Sequence, residues 1–207
     1  NISGFQKNAV DVVDGNAGTG SAGDITVNIS GGTFSGAGPT GAIAQNGIMF
    51  WNAEGGKVGG SISGATISGF QYAGSSASSS GVLLYGLGTG TVSVTGNTFS
   101  NNDMHFDDET NTYNPAAVVA GNTFSRAVTV SSNHAIYDTI QAAIDDAAAG
   151  DTVTIYGTHA LTSVVNVNKA VTLTCASGAL IQVSGTGDRF DISAGATLQG
   201  CTITKTD

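Results

Sequence analysis

Short runs of alternating apolar and polar residues recur along the chain. Ile25-Thr26-Val27-Asn28-Ile29, Val58 through Ile62, and Thr91-Val92-Ser93-Val94-Thr95 keep a period of two, which marks a strand with one buried face. Such runs precede copies of a motif, Gly-small-Thr-(Phe/Ile)-(Ser/Thr). The copies are Gly32-Thr33-Phe34-Ser35, Gly64-Ala65-Thr66-Ile67-Ser68, Gly96-Asn97-Thr98-Phe99-Ser100 and Gly121-Asn122-Thr123-Phe124-Ser125, with a looser one at Ile2-Ser3-Gly4-Phe5. The apolar members fall at 2, 34, 67, 99 and 124, spaced 32, 33, 32 and 25 apart. A second apolar pulse lies midway, at Asn8-Ala9-Val10, Asn46-Gly47-Ile48 and Ser80-Gly81-Val82. Three short strands with glycine-rich corners per period predict one coil of a parallel β-helix, an all-β solenoid. A sandwich would show turns every 8–12 residues or so and fits less well.

Residues 136–156 break the pattern. Ile136, Ile140, Ala143, Ile144 and Ala147 share one face at helical spacing and predict an amphipathic α-helix near 138–149. Asp138 is the expected N-cap, with Gln141 completing a capping box and Gly150 as the stop. Strand patterns resume at Asp151-Thr152-Val153-Thr154-Ile155 and continue through Val164–Val167, Ala170–Cys175, Leu180–Val183, Phe190–Ile192 and Ala196–Thr204. The chain therefore divides into coils over 1–131, a linker with its helix over 132–150, and a second set of coils from 151 to 207.

The run from Tyr137 to Ile155, ending Gly150-Asp151-Thr152-Val153-Thr154-Ile155, resembles the opening of right-handed parallel β-helix proteins of the pectate-lyase-like type. In that family an amphipathic helix caps the first coil and a Gly-Asp-Thr-Val strand begins the stack. Asn168-Lys169-Ala170-Val171-Thr172-Leu173-Thr174 looks like the next strand, and the Gly-Asn-Thr-Phe-Ser copies look like later coils. The resemblance implies a fold that carries lyases, hydrolases, epimerases, adhesins and structural proteins, and so leaves the chemistry open. Here the capping segment follows about 130 residues of coils instead of preceding them. Both ends of the chain also lie inside coil motifs. The expectation is a chain whose final coils meet the first coils of another copy, giving a head-to-tail homo-oligomer or polymer. A fragment, or two halves folded into one permuted helix, is the alternative.

Composition narrows the function. Glycine supplies 31 of 207 residues and proline two, which suits many tight corners. Six Lys and Arg against 15 Asp and Glu leave a net charge of −9, which argues against nucleic-acid binding because phosphates demand cations. No apolar run approaches the roughly 20 residues of a membrane-spanning helix. The six cations, Lys7, Lys57, Arg126, Lys169, Arg189 and Lys205, are scattered. A polysaccharide lyase needs a cation beside the abstracted proton and a base in reach, so no catalytic residue is assigned.

Four acids crowd into 103–109, and Asp103, Asp107, Asp108 and Glu109 form a weak calcium candidate. A solvated turn is the favoured reading of that segment. His105, His134 and His159 stand apart and read as turn or partly buried side chains. Trp51 and Tyr72 are candidate carbohydrate contacts. Cys175 and Cys201, 26 residues apart, sit about one coil from each other, so stacking brings them within disulfide reach; two buried thiols are the alternative. A disulfide suits an extracellular or cell-surface location. The leading expectation is a non-enzymatic extracellular structural protein that self-assembles into a filament, sheath or surface layer. The other is a polysaccharide-active enzyme or carbohydrate-binding adhesin.

Overall fold

The structure is a computed structural model. It describes residues 1–5, 7–15, 22–39, 43–74, 78–193 and 195–206. Strands make up 48% of the described residues and helices 7%, so the class is all-β.

Residues 8–100 build three successive sets of three strands. The first set is β1 (Asn8–Val13), β2 (Ile25–Ser30) and β3 (Thr33–Ser35). The second is β4 (Asn46–Trp51), β5 (Val58–Ser63) and β6 (Thr66–Ser68), and the third is β7 (Ser80–Leu84), β8 (Val92–Thr95) and β9 (Thr98–Ser100). Each strand pairs in parallel with its equivalent in the next set. The apolar marks of the repeat stack in register: Ile2 bridges Phe34, Phe34 pairs Ile67, and Ile67 pairs Phe99. Period-two alternation points Val12, Ile48, Phe50, Val82 and Leu84 into one buried core with Ile62, Val94 and Phe99.

Gly60 shows how tightly neighbouring sets approach. Its φ is +139°, and a Cβ there would lie 1.8 Å from the Val27 carbonyl oxygen. Only glycine accepts both the backbone conformation and the contact.

Then come β10 (Met104–Asp108), α1 (Pro115–Gly121), β11 (Thr123–Phe124), β12 (Arg126–Val130), β13 (Ala135–Tyr137) and α2 (Ile140–Asp146). β10 extends the parallel ladder on β7, and β11 places Phe124 against Phe99. The segment 103–109 is thus largely a strand and not a solvated turn: His105, Phe106 and Asp108 are buried. Two helices stand where the sequence suggested one. In α1, Asn114 accepts from the Ala116 N–H and Pro115 opens the first turn, a favourable start for a helix.

α2 begins later than expected. Thr139, not Asp138, is the N-cap, its hydroxyl accepting from the Ala142 N–H at 3.2 Å. Gln141 does not reach back as a capping box would. It accepts from the Asn166 N–H and donates to Asp145. The helix ends at Asp146, before Gly150, and buries Ile140, Ala143 and Ile144.

The remaining strands are β14 (Thr152–Leu161), β15 (Val165–Val167), β16 (Thr172–Cys175), β17 (Leu180–Ser184), β18 (Phe190–Ile192), β19 (Thr197–Gln199) and β20 (Thr202–Thr206). β14 serves two sheets. Its first part pairs β16 and, past Gly157 (φ +76°), its second part pairs β17. All pairings within this second stack are parallel.

Between the stacks the direction reverses. β13 pairs antiparallel with both β10 and β12, and β12 pairs antiparallel with β14. The sheet order β1-β4-β7-β10-β13-β12-β14-β16-β19 is therefore mixed and runs through both stacks within one chain. β12 and β13 form a wall shared by two cores. Ala127 and Ile136 face the first, and their neighbours Val128 and Tyr137 face the second. Cys175 and Cys201 are joined by a disulfide with their Cα atoms 4.9 Å apart.

Candidate functional site

A groove of about 890 Å³ lies beside the β4, β7, β10 and β13 strands. Leu83, Tyr85, Met104 and Tyr137 give it apolar surface, and Asn46 and Ser80 line it as well. The end of α2 supplies Asp145 and Asp146, and Lys7 is the lysine along it.

Asp103, Asp107, Asp108 and Glu109 all reach this groove, yet their oxygens serve different partners. Asp103 accepts from the Tyr72 N–H at 2.8 Å and the Ser79 N–H at 3.2 Å, while burial pushes its carboxyl upward. Asp108 is a loop clasp. It accepts from the N–H groups of Thr110, Thr112 and Tyr113 and from the Thr110 hydroxyl. Among the described residues, no three His, Cys, Asp or Glu side chains gather as a metal site would require.

Asp107 accepts from the Ser80 hydroxyl at 3.4 Å. Burial pushes its carboxyl up to about 6, and the negative charges of Glu109, Asp108 and Asp146 add to the effect. Opposite it, Tyr137 donates to Asp146, and Asn133 donates to both, at 2.8 and 2.9 Å. Burial, and then the Asp146 carboxylate, raise the Tyr137 phenol well above its ordinary value.

The two aromatics singled out for carbohydrate are not brought together. Trp51 meets Tyr85 edge-on, ring centroids 5.8 Å apart, at the far end of β4, whereas Tyr72 is tied to Asp103 ahead of β10. Tyr85, 55% exposed, is the aromatic that the groove presents.

A second polar cluster lies buried beneath the seam. His105 has no exposed surface and Asp138 only 2%. Asn102 accepts the Phe70 N–H through its Oδ1, so its amide nitrogen faces His105 Nδ1 at 3.1 Å. Nδ1 must then accept, which places the ring proton on Nε2. That N–H donates to the Arg126 carbonyl at 2.9 Å. Asp138 Oδ1 lies 3.2 Å from the same nitrogen and receives no hydrogen bond. Asp138 Oδ2 accepts from Arg126 Nε at 2.8 Å and from Nη2. Burial opposes the charge on Asp138, but His105 and the Arg126 guanidinium more than offset it, so its pKa is lowered.

No signal in the sequence marks this cluster, since Asp138 stands where a helix cap would and His105 stands alone. Its members are 12 and 33 residues apart along the chain, and no local pattern connects them. The other histidines serve separate carbonyls: His134 meets that of Tyr113 and His159 that of Tyr156.

No helix is long and apolar enough to cross a membrane among the described residues. Comparison with protein-family models, with curated proteins and with solved structures gives no match.

Proposed function

We propose that the chain is a non-enzymatic structural segment of a right-handed parallel β-helix, used outside the cell or on its surface. In this reading successive stacks of coils join end to end into a rigid rod, filament or sheath. The observation that supports it best is the unbroken ladder from β1 to β19, which passes through β13 and β12 from one stack into the next. A join made of backbone hydrogen bonds and a wall buried on both faces resists bending and depends little on salt. The disulfide agrees with an oxidising environment.

Electron microscopy of the purified protein tests the proposal. Elongated particles that associate end to end are expected, and their appearance should not change between low and high salt. Compact single particles at high concentration would overturn it.

The groove favours a second reading, a polysaccharide-active or carbohydrate-binding surface. Its support is Asp107, pushed up to about 6 beside Glu109 in a groove that also presents Tyr85. A carboxyl raised toward neutrality keeps part of its proton there, which is what a general acid requires. Titration calorimetry with neutral and uronate oligosaccharides decides it: binding lost in Asp107→Asn supports this reading, and no heat with either class removes it.

A further inference from the structure

The seam between the stacks is thin where it matters. β12 and β13 share only two register pairs, Val128 with Tyr137 and Thr129 with Ile136. Asp138 follows directly on β13, Arg126 opens β12, and His105 lies on β10. The cluster thus ties together the strands through which the first stack reaches the second.

Its charges are sparse. Arg126 faces Asp138 from β12, His105 faces it from β10, Asp103 lies near it on the approach to β10, and His159 lies near both on β14. Burial holds His159 toward its neutral form. Asp103 repels the Asp138 carboxylate. Arg126 is the attached cation, and about a third of its side chain is exposed.

We propose that Asp138 is an acid-operated clasp on the wall between the two stacks: ionised, it holds the start of β12 to the end of β13 through Arg126, and protonated, it releases that wall to local opening. The guanidinium can turn into water once its partner is neutral, so release costs little on the Arg126 side. Asp138 Oδ1 receives no hydrogen bond and only faces His105 Nε2 at 3.2 Å, so the carboxylate's hydrogen bonds are those from Arg126. The sign follows from a lowered pKa. The clasp is complete above the ordinary carboxylate value and is lost as the pH falls through the lower, folded value.

Hydrogen exchange resolved by peptide, corrected for intrinsic rates, tests this from pH 7 down to pH 3. In wild type, amides of 135–146 should lose protection below about pH 4, ahead of those in β5 and β8. Asp138→Asn should lose roughly a hundredfold in protection over 135–146 already at pH 7, the scale expected when a buried ion pair is broken. β5 and β8 should remain as in wild type. Arg126→Met should reproduce the loss without touching Asp138. Unchanged protection over 135–146 in both variants at pH 7 would overturn the proposal. So would a wild-type acid loss that spreads evenly over every coil, and this wild-type series decides the matter if neither variant folds.

Discussion

Phe99 lies flat on Phe124, ring centroids 5.0 Å apart and planes within 8° of parallel, although 25 residues of chain separate them. The pair extends the column Ile2, Phe34, Ile67 and Phe99 down to β11, the last strand of that ladder. Phe99 is fully buried. Phe99→Ala should cost about 3–5 kcal/mol, from lost transfer energy and the cavity left behind, and Phe99→Leu clearly less. Urea unfolding followed by circular dichroism measures both, and equal losses for the two would show that the stacked column carries no special packing.

Gly60→Ala should rival that loss. A Cβ placed 1.8 Å from the Val27 oxygen forces β2 and β5 apart, and the φ of +139° is strained for any L side chain. A loss above about 2 kcal/mol is expected, the range of severe backbone substitutions. Gly178→Ala serves as the control. Gly178 also has positive φ, but nothing lies near its missing Cβ, so the excess at Gly60 reports the contact between β2 and β5 together with the more strained φ of Gly60.

The repeat was legible because it is written in register: the residues spaced 32, 33, 32 and 25 apart in sequence are the ones that stack. The motif's asparagines also have a reason visible only in three dimensions. Asn97 accepts from the Ala65 N–H and donates to the Ile62 carbonyl and to Asn122. Asn122 continues the pattern by donating to the carbonyls of Val94 and Val118. These amides satisfy backbone groups at the turns between strands, next to the core.

The seam was illegible for the opposite reason. Strands β12 and β13 are buried on both faces, so Ala127, Val128, Thr129 and Val130 show no alternation to read. Acidic residues further disguised β10 as a turn. Asp14 shows how a buried carboxylate can serve the backbone: among the described residues it clasps the N–H groups of Ala53, Glu54 and Gly56.

Breaking the disulfide should destabilise the segment that it closes. Cys175 and Cys201 lie 26 positions apart, and a loop of that length is worth about 3.5 kcal/mol by the chain-entropy estimate. Replacing both cysteines by alanine should lower the melting temperature, and adding reductant should shift wild type toward the variant without shifting the variant itself. A reductant effect of equal size on both would mean that the bond is not what holds this coil.

Asp107 makes a contribution of definite sign to the pH dependence of stability. Its carboxyl is pushed up to about 6 in the folded protein from 3.8. Between those values the folded state holds this proton more tightly than the unfolded one, so the contribution of Asp107 to stability falls as the pH rises from about 4 to 6. Above 6 the carboxylate is ionised in both states, and the full penalty of its burial beside Glu109, Asp108 and Asp146 remains. Asp107→Asn keeps the shape and removes the charge. It should therefore stabilise the protein at pH 7 by about 1–2 kcal/mol, after allowing for partial exposure to water, and change little at pH 4. Unfolding free energies of wild type and variant across this range check it. A variant that is less stable than wild type at pH 7 would mean that the Ser80 hydrogen bond outweighs the charge repulsion.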